Sequence, residues 1–156
     1  MVKLKTLIHN VEVITMDKDN NQYKDGAILY NGDTIEYVGP ASGLNQNSLK
    51  DGVDKPQLID GKGMLALPGF VNAHTHISMT AFRGYADGQP LWEWLSETIW
   101  PMEDKLEPGD CYWLTLLGAA EMISAGVTTF LDMYMFQTDT ARAVSECGMR
   151  AVLSRA

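Results

Sequence analysis

Two kinds of hydrophobic patterning follow one another along this chain. Over residues 2–38 the apolar positions come in short, strand-like groups. Leu7, Ile8, Val11, Val13 and Ile14 predict one or two strands, with His9 and Asn10 near a turn or bulge. Residues 17–22 are a polar turn cluster. Residues 26–30 and 34–38 flank Asn31-Gly32, a dipeptide that favours a tight hairpin. Residues 41–55 are polar and read as a loop, and Leu58-Ile59-Asp60 reads as a last short strand before the Gly61-Lys62-Gly63 turn. This part predicts a small β-domain without evident chemistry, in which His9 is a structural residue.

Beyond residue 64 the period changes. Residues 79–88 read as a long loop and residues 91–100 as a helical turn or two that Pro101 interrupts. Asp110 is placed to cap a helix carrying Trp113, Leu114, Leu117, Ala120, Glu121 and Ala125, and Gly126 ends it. Residues 127–131 then predict a buried strand, residues 138–147 a helix stopped by Gly148, and residues 149–153 another strand. Strand and helix alternating through short links predict βαβ units and a parallel sheet.

The stretch 65–76, Leu-Ala-Leu-Pro-Gly-Phe-Val-Asn-Ala-His-Thr-His, leads that second part. It reads as a buried strand delivering two imidazoles. Side chains alternate across a strand, so His74 and His76 share a face and Thr75 takes the other. Two imidazoles so placed can meet one cation, and neutral imidazole suits zinc, iron and nickel. Two solvated histidines at a strand end satisfy the same spacing.

Composition narrows the function classes. A hydrophobic fraction of 46% over 156 residues is enough for an ordinary core. The net charge of -8 and the lack of a basic stripe argue against a nucleic-acid partner. No apolar run reaches membrane-span length, and the N-terminus lacks the apolar segment of a signal peptide. Cys111 and Cys147 have no short-range partner spacing, which fits reduced thiols and a cytoplasmic protein. The paired His-x-Glu and Pro-Cys-x-x-Cys of zinc cytidine deaminases are absent, as are a Gly-rich phosphate loop and a serine-nucleophile elbow.

Pro68-Gly69-Phe70-Val71-Asn72-Ala73-His74-Thr75-His76 resembles the motif that opens the barrel of the amidohydrolase superfamily. Met79-Thr80, Arg83-Gly84, Glu93-Trp94-Leu95 and Pro101-Met102-Glu103-Asp104 are similar to a narrower group, the methylthioadenosine/S-adenosylhomocysteine deaminases and their triazine-hydrolase relatives. Gly126-Val127-Thr128-Thr129-Phe130, Asp132-Met133-Tyr134 and Gly148-Met149-Arg150-Ala151-Val152-Leu153 extend the likeness. Gly88 stands where such proteins often carry an acid, and Ala81-Phe82 replaces a commoner Leu pair.

The resemblance implies an α/β fold. Residues 1–63 would be the N-terminal part of a small β-sandwich, and residues 64–156 the first three strands and two helices of a TIM (β/α)8 barrel. It implies a metal at the C-terminal mouth of that barrel, Zn2+ first and Fe2+ second, one per subunit. His74 and His76 would be two of its ligands, with the remaining ligands outside this chain. The implied reaction is deamination of a purine nucleoside by a metal-activated water. Glu103 would accept hydrogen bonds from the two ribose hydroxyls, Arg155 would contact the substrate, and Trp94 could border the pocket. No catalytic acid or base is assigned within this chain. A triazine or guanine substrate, or a catalytically silent homologue, are the alternatives, and homo-oligomeric assembly is compatible with this sequence.

Other residues take plainer readings. Trp92, Trp94 and Trp100 read first as packing residues, and Glu93, Glu97 and Asp104 as surface charges. Glu121 reads as lying on a solvated helix face, and Asp132, after the second barrel strand, as a capping or turn residue ahead of a site residue. Three strands cannot close a barrel that needs eight, so the chain reads as the N-terminal part of a larger enzyme.

Overall fold

The computed structural model describes residues 5–45 and 55–155. The chain divides into two compact units, Met1–Pro68 and Gly69–Ala156. Much of the polar stretch read as a loop at residues 41–55 lies outside the described residues.

The first unit is one sheet built on β1 (Lys5–Ile14). β2 (Gln22–Asn31) pairs antiparallel with β1, and β3 (Thr34–Pro40) pairs antiparallel with β2. β4 (Gln57–Asp60) and β5 (Leu65–Ala66) pair with β1 in parallel. The expected bulge is present: the β1–β2 register shifts between Ile8 and Val11, and Asn10 has φ 53°. The β2–β3 turn lies one position later than Asn31-Gly32 suggests, because Asn31 pairs with Thr34 and leaves Gly32-Asp33 as the loop. Gly32 takes φ 60° there, which glycine adopts without a Cβ clash. Leu7, Ala27, Leu29 and Leu44 form the core of this unit, with Tyr37 and Ala41 packed against it.

The stretch 65–76 is not one strand. Leu65 and Ala66 pair with Glu12 and Val13, whereas β6 (Phe70–Thr75) pairs with the second unit's sheet. The break falls at Pro68-Gly69, where proline has no N–H to continue a ladder. The division between the two compact units falls at the same point, after Pro68. Within this chain Phe70 and Val71, on the edge strand of their sheet, are 56% and 66% exposed.

The second unit is a parallel sheet in the order β6-β7-β8, with β7 at Val127–Tyr134 and β8 at Arg150–Arg155. Between β6 and β7 the residues read as a loop begin with a 3-10 segment, Ile77–Phe82. A continuous helical stretch follows: α1 (Leu91–Glu93), a π-helical segment (Trp94–Ile99) and α2 (Trp100–Glu103). Pro101 therefore does not interrupt the helix. The Trp100 N–H bonds to the Leu95 carbonyl across the wide π turn, and Pro101 falls in the first turn of α2, where a missing N–H leaves no bond unmade.

α3 (Asp110–Ser124) leads to β7, and α4 (Gln137–Cys147) leads to β8. Asp110 does not cap α3. Gly109 occupies that position at φ 102° and donates its N–H to Asp139 Oδ2 at 2.6 Å, while Asp110 Oδ2 accepts the Glu107 N–H. Gly126 (φ 78°) and Gly148 (φ 76°) follow the two helices in left-handed conformation, as the sequence predicts. Ile77, Ala119, Phe130, Val144 and Met149 form the second core, with Met122, Val127, Cys147, Ala151 and Leu153 around it. Phe130, Asp132 and Tyr134 alternate as the buried positions of β7, and Leu131 and Met133 lie on its opposite, open face.

Candidate metal centre

β6 ends at the edge of its sheet with an irregular turn of backbone. Its register against β7 shifts between Asn72 and Thr75, and Asn72 Oδ1 accepts the His74 N–H at 3.2 Å. That side-chain bond lies where β6 leaves its regular pairing with β7. The imidazoles of His74 and His76 come together edge to face, with ring centroids 5.2 Å apart. Regular alternation alone does not place them, since the pairing is interrupted between Asn72 and Thr75 and His76 follows the last residue of β6.

The two rings are held differently. His76 is half-buried, and its Nδ1 lies 2.7 Å from the Met133 carbonyl. A carbonyl only accepts, so Nδ1 carries the proton and Nε2 keeps its lone pair. That is the usual outer arrangement of a metal-ligating histidine, whose second nitrogen donates to a carbonyl or carboxylate. His74 is exposed. The donor set fits a divalent metal that accepts imidazole, but it is a partial one. Among the described residues no group of three or more His, Cys, Asp or Glu could hold an ion, whereas zinc sites take three or four protein ligands.

Backbone pairing and packing also bring together residues distant in sequence around Tyr134, at the C-terminal end of β7. Its ring centroid lies 6.4 Å from that of His76, and its backbone pairs with Arg155 at the end of β8. Burial raises the pKa of its phenol first, and the adjacent Glu103 carboxyl raises it further. The hydroxyl is buried without a well-formed hydrogen bond among the described residues. His76, Glu103 and Arg155 thus meet at one residue that sequence reasoning passed over. The available signal was its position at the C-terminal end of a parallel strand, where the sites of barrel folds collect.

Trp94 stands elsewhere around His76. It is half-buried, points its Nε1 at the Tyr85 carbonyl at 3.4 Å, and lines a cavity of about 410 Å³ with His76, Thr80, Arg83 and Glu121. Glu121 is less free than its place on a helix face suggests. Arg83 grips it through both nitrogens at 2.8 and 2.6 Å, and the guanidinium holds the Glu121 carboxyl below its ordinary pKa. The pair is exposed, so it contributes little to stability and mainly shapes that wall.

Asp132 lies within β7 and not after it, and it is completely buried. Its Oδ1 accepts the Ile77 N–H at 2.7 Å and its Oδ2 accepts the Gln137 side-chain amide at 2.7 Å. The sequence favours a capping or turn residue after the strand; the structure instead makes Asp132 a buried strand residue that bonds across to Ile77 and Gln137. Trp92 and Trp100 pack edge to face on each other at 5.5 Å, but both remain exposed, so neither is a core residue within this chain. None of the described helices is long and apolar enough to cross a membrane.

Comparison with known proteins agrees with this arrangement. Residues 65–156 match the Amidohydrolase family. The chain is 50% identical over 149 residues to the 5-methylthioadenosine/S-adenosylhomocysteine deaminase of Pelotomaculum thermopropionicum, covering 96% of this chain and 33% of that protein. It is 50% identical over 127 residues to the 5'-deoxyadenosine deaminase of Methanocaldococcus jannaschii, covering 81% of this chain and 29% of that protein. Among solved structures, the zinc complex of an atrazine chlorohydrolase from Arthrobacter aurescens TC1 superposes with a TM-score of 0.81 at 27% identity, over 96% of this chain and 35% of that one. An adenosine deaminase from Xanthomonas campestris with bound zinc superposes with a TM-score of 0.75 at 28% identity, over 96% and 33%. The chain spans about a third of the length of the curated relatives it matches.

Proposed function

Because the chain belongs to the amidohydrolase family, we propose that it is the N-terminal part of a metal-dependent aminohydrolase acting on an adenosine-type nucleoside. The substrate is 5'-methylthioadenosine or S-adenosylhomocysteine. Water oxygen replaces the purine amino group, giving the inosine-type product and ammonia. The observation that carries this reading is the His74–His76 pair, with His76 tied through Nδ1 to Met133 so that Nε2 is left to bind a cation. The deaminase relatives at 50% identity support the nucleoside as substrate.

In this reading β6, β7 and β8 open a TIM barrel, and the first unit belongs to a small β-sandwich. Parallel sheets are covered on both faces. Here Leu131, Met133 and Val152 share a face and are 41–59% exposed, an apolar surface that the rest of a barrel covers.

His74 and His76 hold one divalent metal, Zn2+ first and Fe2+ second, with further ligands outside this chain. When bound, such an ion supplies a water acidic enough to act as a nucleophile near neutral pH. The chain's own residues bind and orient the nucleoside. Glu103 is acceptor-only when ionised, and its two oxygens can each take one ribose hydroxyl. Arg155 offers a planar set of donors to the substrate. Trp94 borders the pocket, in the same cavity lining as His76. The net charge of -8 suits a small-molecule substrate better than a polyanion, and a cytoplasmic setting accompanies this reading.

A triazine substrate is the second reading, favoured by the superposition on triazine-hydrolysing enzymes. Metal content and product release by the intact protein separate the readings. Ammonia released from 5'-methylthioadenosine, with zinc and turnover both lost in His74→Ala and His76→Ala, is the expected result. Turnover of a chlorotriazine without any nucleoside deamination moves the assignment to the second reading. Metal-free protein without turnover leaves a catalytically silent homologue.

A further inference from the structure

The backbone just after the histidine pair is anchored from several sides, and Asp132 is the polar anchor. Its carboxyl is wholly buried, yet each oxygen has one donor: the Ile77 N–H at 2.7 Å and the Gln137 amide at 2.7 Å. Ile77 is itself a core residue and lies against Gly118 of α3, where a Cβ would come within 2.6 Å of Ile77 Cγ1. One residue earlier, His76 gives its Nδ1 proton to the carbonyl of Met133, the neighbour of Asp132. Two consecutive residues of β7 thus grip two consecutive residues after β6, one through a side chain and one through the main chain. The two bonds act on adjacent residues, so the first restrains the backbone from which the His76 ring reaches Met133.

We propose that Asp132 is a positioning residue for the metal: by holding the Ile77 N–H it sets the His76 ring against Met133 and so presents Nε2 to the ion. The inference rests on the reading of His76 as a ligand. Its chemistry is a hydrogen bond and not a charge, so an amide that keeps one accepting oxygen can replace the acid. Gln137, whose Oε1 is buried without a partner among the described residues, can turn to accept from that amide.

The test compares Asp132→Asn and Asp132→Leu with the wild type in the intact protein. It reads zinc affinity by chelator competition, and the His76 tautomer by imidazole nitrogen NMR on metal-free samples. Asp132→Asn is expected to keep the Nδ1–H tautomer and bind zinc within about threefold of wild type. Asp132→Leu is expected to lose that tautomer and bind zinc at least tenfold more weakly, in line with other outer-shell partners of metal ligands. An Asp132→Leu protein that folds and keeps both properties overturns the proposal. A tenfold loss of affinity in Asp132→Asn with the tautomer unchanged overturns it too, because charge is then what matters.

Should Asp132→Leu fail to fold, Asp132→Ala is read in its place: faster exchange of the Ile77 N–H together with loss of the Nδ1–H tautomer upholds the proposal, and a wild-type tautomer and zinc affinity in that folded variant overturn it. Failure of the ligand reading shows separately, as zinc affinity unchanged in His76→Ala.

Discussion

The Nδ1 of His76 and the carbonyl of Met133 lie 2.7 Å apart although their residues are 57 positions apart in the chain. That single contact joins the end of one parallel strand to the end of the next and decides which nitrogen of the imidazole is free. His74 and His76 are nonetheless only part of a ligand set. The isolated 156-residue chain is therefore expected to bind zinc weakly in equilibrium dialysis, because structural and catalytic zinc sites use three or four protein ligands. A tight stoichiometric site would contradict it.

Glu103 is expected to read the sugar. In the intact protein, Glu103→Gln and Glu103→Ala should lower kcat/KM for adenosine-type nucleosides at least tenfold, about 1.4 kcal/mol of transition-state stabilisation. A 2',3'-dideoxy analogue should be a poor substrate already and lose little more. Equal losses on both substrates would assign Glu103 to the fold, through its position beside Tyr134.

Arg155 ends β8 and pairs with Tyr134 across the strands. Arg155→Met should raise KM severalfold with little change in thermal stability, since the side chain is exposed. Unchanged kinetics would mean that the guanidinium only pairs with a neighbouring acid.

Gly118 allows α3 to approach Ile77 closely. Alanine at this helical position gains intrinsic propensity, about 1 kcal/mol. Its methyl would nevertheless stand 2.6 Å from Ile77 Cγ1 and 3.2 Å from the Ile77 carbonyl. Overpacking should win, so Gly118→Val is expected to cost about 1–3 kcal/mol and Gly118→Ala less. Urea denaturation checks the order, and a stabilised Gly118→Val would show that the helix can shift away.

Tyr134 gives a pH dependence whose sign follows from its raised pKa. The folded state disfavours the phenolate, through burial first and the Glu103 carboxyl second. The stabilisation is fully present below the unfolded tyrosine pKa, about 10, and is lost as pH rises above that value. Tyr112, raised by its hydrogen bond to Glu146, acts in the same direction. Denaturant melts of wild type and Tyr134→Phe at pH 9 and pH 11 isolate the Tyr134 share, which cannot exceed roughly 1.4 kcal/mol per pH unit. Parallel curves for the two proteins would remove Tyr134 as the source.

Local chemistry alone determined a good part of this molecule. The His-x-His spacing at a strand end kept His74 and His76 together at one place, because two residues span only a short length of chain. Gly126 and Gly148 ended two helices because left-handed backbone is open to glycine without a Cβ clash. The alternation of strands and helices after residue 64 forced a parallel sheet, since short links and a helix return the chain in the same sense.

The tertiary structure decided what periodicity does not encode. Phe70 and Val71 read as buried from their composition, but exposure depends on what packs over them. Pro101 reads as a break, but a π turn before it set the position at which its missing N–H does no harm. Asp132 and Tyr134 gained their roles from partners far along the chain: Ile77 is 55 positions from Asp132, and the rings of His76 and Tyr134 approach from different strands. Hydrogen bonds and burial of that kind depend on which strands come to lie side by side. Turn chemistry and hydrophobic period specify each element, but the contacts at the strand ends exist only once the sheet has assembled.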